Sequence, residues 1–292
     1  MTGKLIIAFI ALLADLTLSA ELPATASSGK VKVAAIQCYS RMGQVEYNRK
    51  LLTGLMTSAS EKGAKIIVTP ECAVQGYMDP AGGVAWTKQE KKAEDRMSVG
   101  EYAETVPGPS TEYFASLSKK LGVYLCIGMI EKDKKSFFNS QVLLSPEGKI
   151  IAHHRKKNLW PPGDGLWASE GDLPVQIVQT EFGKLGLLIC YEIHLLPKKL
   201  AEGKTDIALY SVGWYGPNED NWFFIILPRD YVKPYGYSIV VSNWSADKSS
   251  EGWVGIGRSC IINSDGKLLS SAEKDKGEEI VISELNLKSS PK

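Results

Sequence analysis

The amino-acid sequence predicts an α/β fold in the form of a mixed layered sandwich. In the first half of the chain, apolar runs of strand length alternate with segments of helical spacing. Further along, pairs of short apolar runs are separated by turn residues, which is typical of hairpins. No linker rich in proline, glycine or serine interrupts residues 30–292, so we expect a single domain over that range.

Each element follows from its local pattern. Short apolar runs bounded by turn residues predict buried strands, and leucine or methionine recurring on one side predicts a helix. The predicted strands cover residues 31–37, 64–69, 123–130, 139–144, 149–154, 185–190, 206–211, 237–243, 257–263 and 268–272. The predicted helices cover residues 48–62, 111–121, 197–203 and 221–233.

The charge balance excludes some classes of partner. The formal net charge is +1, which argues against a surface that follows nucleic-acid phosphates and against a general binder of membrane surfaces. The chain contains neither a glycine-rich phosphate loop nor an internal repeat. We therefore expect a small-molecule substrate and no nucleic acid.

The first 26 residues have the layout of a secretory signal peptide. Lys4 precedes the apolar stretch 5–14, and residues 24–26 form a small-x-small cleavage site, with Ala20 as an alternative. An uncleaved anchor or a buried helix would be the other interpretations, but the run is short for a transmembrane span. We expect export to the periplasm or the medium, and no stable membrane span in the mature chain.

Cys190 lies at the end of a predicted buried strand. A thiol at the tip of such a strand can meet a substrate where the backbone turns, and catalytic nucleophiles are often mounted in this way. The alternative is a small buried side chain, because free cysteine is among the most buried residue types. The thiol alone does not decide between these interpretations.

Two other reactive groups also stand at predicted strand ends. Glu71 closes the second strand and Lys156 follows the strand 149–154, so both could converge with Cys190 at one sheet edge. A carboxylate can act as base toward a thiol, and an ammonium group with the backbone N–H of Tyr191 could stabilise a developing oxyanion. Alternatively, Glu71 caps a helix and Lys156 belongs to a solvated run of basic residues.

Three ordered blocks make the chain resemble the nitrilase superfamily, the carbon–nitrogen hydrolases. These blocks are Pro-Glu at 70–71, His-Arg-Lys at 154–156 and Gly-Leu-Leu-Ile-Cys-Tyr-Glu at 186–192. The resemblance runs from about residue 31 to 285. It implies a four-layer α-β-β-α sandwich, commonly dimerised into eight layers, and no metal or organic cofactor. It also implies Glu71 as base, Lys156 as electrostatic stabiliser and Cys190 as nucleophile.

One position departs from the family pattern. Many members carry a second glutamate eight residues after the lysine, whereas this chain has Asp164 between two glycines. Asp164 keeps the charge and loses one methylene of reach, which the glycines could offset by letting the backbone come closer. Glu170 in an altered loop is the alternative, and we favour Asp164 as the second site carboxylate.

Four residues are candidates for contact with the substrate. Tyr191 follows the nucleophile, and Glu192 lies two residues after it, where it borders the pocket or simply faces solvent. Trp214, next to Tyr215, follows the next strand and either lines the acyl pocket or packs a loop. Tyr77 has the same two interpretations.

These residues together predict a thiol-dependent hydrolase of non-peptide C–N bonds. An amide or carbamoyl amide would form a thioester on Cys190 that water then cleaves. Nitrile hydrolysis ranks lower, because true nitrilases usually carry tryptophan where this chain has Tyr191. The alternatives are an acyltransferase that uses the same thioester and a non-catalytic binding module. The resemblance alone implies a homodimer or a higher homo-oligomer.

Overall fold

Two six-stranded sheets pack face to face and carry helices on both outer faces. The computed structural model describes residues 29–77, 85–88, 96–214, 220–245, 255–273 and 277–287. The layers are helix, sheet, sheet and helix, which confirms the expected α-β-β-α sandwich. The predicted signal peptide, residues 1–26, lies outside the described residues. No helix in the described ranges is long and apolar enough to cross a membrane.

The strands divide between the two sheets by their place in the chain. The strands are β1 (Lys30–Gln37), β2 (Ile66–Val68), β3 (Ala85–Thr87), β4 (Arg96–Ser98), β5 (Tyr124–Asp133), β6 (Ser136–Leu144), β7 (Ile150–Arg155), β8 (Ile177–Thr180), β9 (Gly183–Ile189), β10 (Ile207–Val212), β11 (Ser238–Asn243), β12 (Cys260–Ile262), β13 (Leu268–Ser271) and β14 (Glu279–Asn286). The first sheet has the order β14-β1-β2-β5-β6-β7, and the second has the order β13-β12-β11-β10-β9-β8. A separate parallel pair joins β3 and β4.

The central strands are parallel, which brings their carboxyl ends to one edge. β1, β2 and β5 run parallel in the first sheet, and β9, β10 and β11 run parallel in the second. The remaining pairs within the two sheets are antiparallel. The ends of β2 and β9 are therefore suited to carry a shared site.

Side chains on each strand point alternately to the two faces of its sheet. This produces an inner core between the sheets and an outer core under the helices on each side. In β1, Val33 and Ala35 face the second sheet, while Ala34 and Ile36 face the helices. Leu187 of β9 belongs to the inner core and Leu188 to the helix-side core. Strands covered on both faces read as continuous apolar runs, which is why the sequence predicts them well.

The helices cover the outer faces through apolar positions at helical spacing. In α1 (Val45–Glu61), Leu52, Met56 and Ala59 are buried at intervals of four and three residues against the first sheet. The helix α3 (Pro109–Leu121) begins with a proline and is capped by Gly122, whose φ of 62° is the left-handed conformation typical of the residue after a helix. The helices are α1 (Val45–Glu61), α2 (Val99–Tyr102), α3 (Pro109–Leu121), α4 (Pro197–Glu202), two 3₁₀ segments (Asp164–Leu166 and Cys190–His194) and a π-helix (Trp222–Val232).

Several segments differ from the sequence prediction. The helix predicted over 221–233 is a π-helix containing Pro228, which has no N–H to donate to a regular α-helical ladder. The strand predicted over 257–263 is shortened to Cys260–Ile262, and Gly257 and Arg258 both have positive φ. β8 and β14 were not predicted, nor were the short elements β3, β4 and α2.

Polar side chains join the two sheets close to the ends of the central strands. Ser211 Oγ donates to the carbonyl of Thr69 at 2.7 Å, across the gap between the sheets. Gln141 Nε2 donates to Ser211 Oγ at 2.8 Å, and Gln141 Oε1 accepts from the backbone N–H of Leu188 at 3.1 Å. These bonds hold the end of β2 against the strands of the second sheet.

Candidate active site

Cys190 begins a sharp turn directly after β9. Its φ of 41° lies in the left-handed region, which is uncommon for a residue with a side chain. The turn is held by Tyr210 Oη, which donates to the carbonyl of Cys190 at 2.8 Å. The thiol is half-buried and receives a hydrogen bond from the backbone N–H of Gly213. The thiol lies at the wall of an open pocket.

Glu71 lies fully buried in the turn after β2. Its Oε1 accepts from Lys156 Nζ at 2.9 Å and from Asn139 Nδ2 at 2.6 Å. Its Oε2 accepts no hydrogen bond from the described residues. A Cβ placed on Gly213 would lie 2.8 Å from this oxygen. Because glycine has no side chain, Glu71 Oε2 has room at this position.

Lys156 is buried between two carboxylates. Its Nζ lies 2.7 Å from Asp164 Oδ2 and 2.9 Å from Glu71 Oε1. Asp164 is fixed in turn by the backbone N–H of Trp160, which donates to Oδ1 at 2.7 Å. Glu170, the other carboxylate that the sequence offered, is exposed to solvent.

The glycines that flank Asp164 let its loop close tightly on Trp160. A Cβ on Gly163 would lie 2.4 Å from the Trp160 ring, and a Cβ on Gly165 would lie 3.1 Å from the Trp160 carbonyl oxygen. Side chains at these two positions would push the loop outward. Their absence lets the short aspartate side chain reach Lys156.

Asn139 on β6 completes the cluster and was not among the sequence candidates. Its Nδ2 donates to Glu71 Oε1 and, at 3.0 Å, to Asp164 Oδ2. The sequence does carry a signal, because three consecutive polar residues, 139–141, lie in a strand that is otherwise apolar. All three are buried, and buried polar side chains need partners.

Arg155, next to Lys156, is also buried, so this basic run is not a solvated face. The guanidinium contacts Glu131, with Nε 3.1 Å from both carboxylate oxygens, and also Asp133 and Asp172. His153 Nε2 lies 2.7 Å from Glu131 Oε2. This second cluster stabilises β7. Its members His153 and Arg155 alternate along the chain with His154 and Lys156.

The charges of the site act strongly on one another. Burial raises the pKa of Glu71, and Asp164 raises it further, while Lys156 opposes both effects. Burial lowers the pKa of Lys156, but the neighbouring negative groups outweigh burial and hold the pKa well above its ordinary value. Burial and the Glu71 charge raise the pKa of the Cys190 thiol. The site therefore combines a fixed cation, a basic carboxylate and a thiol that keeps its proton at neutral pH.

Comparison with known proteins assigns the chain to a family. The model of the carbon–nitrogen hydrolase family matches residues 32–290. The chain belongs to the carbon–nitrogen hydrolase family, which is the nitrilase superfamily. It is 27% identical over 291 residues to nitrilase 2 of Arabidopsis thaliana, covering 90% of this chain and 82% of the relative. It is 26% identical over 243 residues to an omega-amidase of Danio rerio, covering 80% of each chain.

The fold of this hydrolase agrees with solved structures. The crystal structure of an amidase from Nesterenkonia sp. superimposes with a TM-score of 0.71 over 88% of this chain and 90% of that chain, at 19% sequence identity. The protein is thus a carbon–nitrogen hydrolase enzyme with the nitrilase-superfamily sandwich.

In this hydrolase, Glu192 lies in the turn that begins at Cys190 and is fully buried. Its Oε2 accepts from the backbone N–H of Ile189 at 2.9 Å and lies 2.8 Å from His154 Nε2. Its Oε1 accepts from the backbone N–H of Lys157 at 2.6 Å. One side chain therefore joins the residue before Cys190 to the residue after Lys156.

An open pocket of about 240 Å³ adjoins Cys190. Tyr191 and Trp214, two of the predicted contact residues, line it together with Trp160, Ile193 and His194. Tyr191 stands at the rim with 38% of its surface exposed. The neighbouring Tyr215 lies outside the described residues.

Tyr77 is buried beside the site rather than among the residues that line this pocket. Its ring lies 3.1 Å from the position of a Cβ on Gly213, and its ring centroid is 5.7 Å from that of Trp244 in an edge-to-face contact. Its hydroxyl oxygen lies 3.2 Å from the position of a Cβ on Gly163. Tyr77 thus packs between the two loops that carry Gly163 and Gly213.

Proposed function

We propose that this enzyme hydrolyses carboxylic amides through a thioester on Cys190, with Glu71 as base and Lys156 as the cation of the site. One observation carries the proposal. The Glu71 oxygen Oε1 is occupied by Lys156 and Asn139, whereas Oε2 accepts no hydrogen bond from the described residues. A buried acceptor without a donor needs an explanation, and a catalytic role is one such explanation.

The first half-reaction forms the thioester. Glu71 Oε2 takes the thiol proton as the sulfur of Cys190 bonds to the carbonyl carbon of the amide. The carbonyl oxygen becomes negative and is stabilised by the Lys156 ammonium and the backbone N–H of Tyr191. The C–N bond then breaks, and Glu71 returns the proton to the departing nitrogen, which leaves as ammonia from a primary amide.

The second half-reaction consumes one water. Glu71 takes a proton from the water as its oxygen attacks the thioester carbon. The C–S bond breaks, and the proton returns to Cys190 as the carboxylic acid leaves. The sum of both halves is amide plus water giving acid plus ammonia.

The remaining site residues keep Lys156, Glu71 and Cys190 in the protonation states and positions that the reaction requires. Asp164 gives Lys156 a second negative neighbour, which favours the protonated amine throughout the cycle. The raised pKa of Glu71 makes it a stronger base toward a thiol whose own pKa is also raised. Tyr191 and Trp214 would contact the acyl group at the pocket wall. We assign Glu192 a positioning role in place of substrate contact, because its oxygens are bonded to the scaffold.

Nitrile hydrolysis is the second candidate. The relatives named nitrilases favour it, including nitrilase 2 of Arabidopsis thaliana at 27% identity. The thiol of Cys190 would add to a nitrile carbon in the same place, so the two activities differ in substrate and not in nucleophile.

Ammonia release from a panel of amides, carbamoyl amides and nitriles tests the proposal, with intact mass followed in parallel. Wild-type enzyme should release ammonia, and Cys190→Ala should release none. Cys260→Ala is the matched control, because Cys260 is a buried packing residue in the helix-side core. Turnover that persists in Cys190→Ala would refute the mechanism. A stable adduct on Cys190 that clears only when an amine or alcohol is added would indicate an acyltransferase.

We also propose export through a signal peptide over residues 1–26, and assembly of two sandwiches into an eight-layer homodimer. N-terminal sequencing of the protein recovered from the periplasm or medium tests the first. Light scattering tests the second, because a dimer has twice the 31.9 kDa mass of the full chain less any cleaved residues.

A further inference from the structure

The pocket beside Cys190 has room for an acyl group of moderate size. Its volume of about 240 Å³ equals roughly eight water volumes at about 30 Å³ each. An acyl group of about eight non-hydrogen atoms would fill it. A branched aliphatic chain or a phenyl ring with a short linker has this size.

The walls of the pocket are fixed before any substrate arrives. The backbone N–H of Trp214 donates to Asn243 Oδ1 at 2.9 Å, and the Trp214 ring lies 5.1 Å from the Trp222 ring. On the other side, His194 Nδ1 lies 3.0 Å from Tyr231 Oη. A preformed aromatic wall favours a ligand that matches it without reorganisation.

The described residues that line the pocket offer no counter-ion to a charged substrate. Among the described residues that line it, none is aspartate, glutamate, lysine or arginine. His194 lies on the wall, and partial burial lowers its pKa, so its imidazole is neutral at pH 7. The Lys156 ammonium is already paired with Glu71 and Asp164. A carboxylate at the far end of an acyl group would lose its hydration here and find no cation.

We infer that the enzyme acts on primary amides whose acyl group is uncharged and apolar and has about the size of a branched aliphatic chain or a phenyl ring with a short linker. This inference rests on the amide hydrolysis proposed above and selects among its substrates. The bonds made and broken are those of the two half-reactions. The acyl group lies against Tyr191, His194 and Trp214, while the carbonyl carbon faces the thiol.

A matched pair of substrates separates charge from shape. Succinamate and 4-methylpentanamide have the same number of non-hydrogen atoms, and the second replaces the carboxylate with an isopropyl group. We expect kcat/KM for 4-methylpentanamide to exceed that for succinamate by at least about 100-fold, because the charged group enters the pocket unpaired. Phenylacetamide should be hydrolysed at a rate comparable to 4-methylpentanamide.

A positive charge placed on the pocket wall should weaken this preference. Tyr191 stands at the rim, so Tyr191→Arg introduces a cation without disturbing the core. The ratio of the two kcat/KM values should shift toward succinamate by at least about 10-fold. Leu195→Arg is the matched control, because Leu195 is 47% exposed on the same segment and does not line the pocket. That variant should leave the ratio within about twofold of wild type.

The outcomes distinguish the inference from the function on which it rests. Wild-type turnover of succinamate equal to or faster than that of 4-methylpentanamide would overturn the inference and leave the hydrolase mechanism standing. An unchanged ratio in Tyr191→Arg, with the variant folded by circular dichroism, would overturn the placement of the acyl group. Absence of ammonia release from every amide would overturn the proposed function and the inference together.

Discussion

Replacement of Glu192 by glutamine tests whether one buried side chain holds Cys190 and Lys156 in their relative positions. Glu192 accepts backbone hydrogen bonds from Ile189, which precedes Cys190, and from Lys157, which follows Lys156. Glutamine has nearly the same shape but only one acceptor oxygen, because its second terminal atom is an N–H₂ donor. Whichever way the amide is turned, one buried backbone N–H must face a donor.

The size of the effect follows from these contacts. A buried N–H that loses its acceptor costs about 1–3 kcal/mol, so the free energy of unfolding of Glu192→Gln should fall by about 2 kcal/mol. The catalytic groups on either side of the carboxylate would also shift relative to each other. A displacement of about 1 Å can lower a rate by about 100-fold, so we expect kcat to fall at least about 10-fold. KM should stay within about twofold, because Glu192 does not line the pocket.

Urea denaturation and steady-state kinetics measure the two effects on the same preparation. Glu202→Gln is the matched control, because Glu202 is an exposed carboxylate on α4 that pairs only loosely with Lys198 at 3.9 Å. It should change the free energy of unfolding by less than about 0.5 kcal/mol and leave kcat unchanged. A Glu192→Gln enzyme with wild-type stability and a raised KM would refute the positioning role and support contact with the substrate.

Three further predictions concern the same region. Asn139→Leu removes the donor shared by Glu71 and Asp164, so kcat should fall by about 10- to 100-fold with little change in KM, as measured by ammonia release. Gly213→Ala places a methyl group 2.8 Å from Glu71 Oε2 and should lower kcat/KM by at least about 100-fold in a protein that still folds. Burial alone would raise the pKa of Glu131, but hydrogen bonds from its imidazole and guanidinium partners lower it to about 2. Because the folded pKa lies below the ordinary 4.5, this stabilisation is present above about pH 4.5 and is lost as the pH falls toward 2. Urea midpoints between pH 5 and 3 should therefore fall less steeply in Glu131→Gln than in wild type.

Each of these predictions has a result that would contradict it. Gly54→Ala is the control for the glycine substitution, because a Cβ at Gly54 meets no atom within 4 Å. That variant should be more stable than wild type by up to about 1 kcal/mol, since alanine favours the helix. Full activity in Gly213→Ala would mean that Glu71 Oε2 is not needed. Wild-type kcat in Asn139→Leu would show that Asn139 does not contribute to catalysis. Equal pH slopes would show that Glu131 does not contribute to the loss of stability in acid.

The sequence predicts those strands that are covered on both faces. β5, β9 and β10 appear as apolar runs because both of their faces contact other layers. β8 and β14 were missed because each lies at or near a sheet edge, where polar residues interrupt the pattern. The sequence pattern of Glu279–Asn286 identifies a strand only once its antiparallel partner, Lys30–Gln37, is known.

The sequence also predicts which chemical groups meet, but not the bonds that hold them. Glu71, Lys156 and Cys190 stand at strand ends, so their type and place could be predicted together with the family resemblance. Asn139 and Glu71 are 68 residues apart, and their contact depends on how the end of β2 approaches β6. Nothing local distinguishes such an asparagine from one that pairs with its own strand neighbours.

Backbone conformation explains why the site lies at these two turns. Cys190 and Cys72, the residue after Glu71, both have positive φ, at 41° and 50°, although neither is glycine. Each such conformation costs on the order of 1–3 kcal/mol, so it persists only where the surrounding contacts hold it. The turn of Glu71 is held by close packing on Gly128, where a Cβ would lie 2.2 Å from the carbonyl oxygen of Pro70. The turn of Cys190 is held by Glu192. Both strained turns thus place a reactive side chain, a thiol or a carboxylate, at the edge of a rigid sheet instead of on a flexible loop.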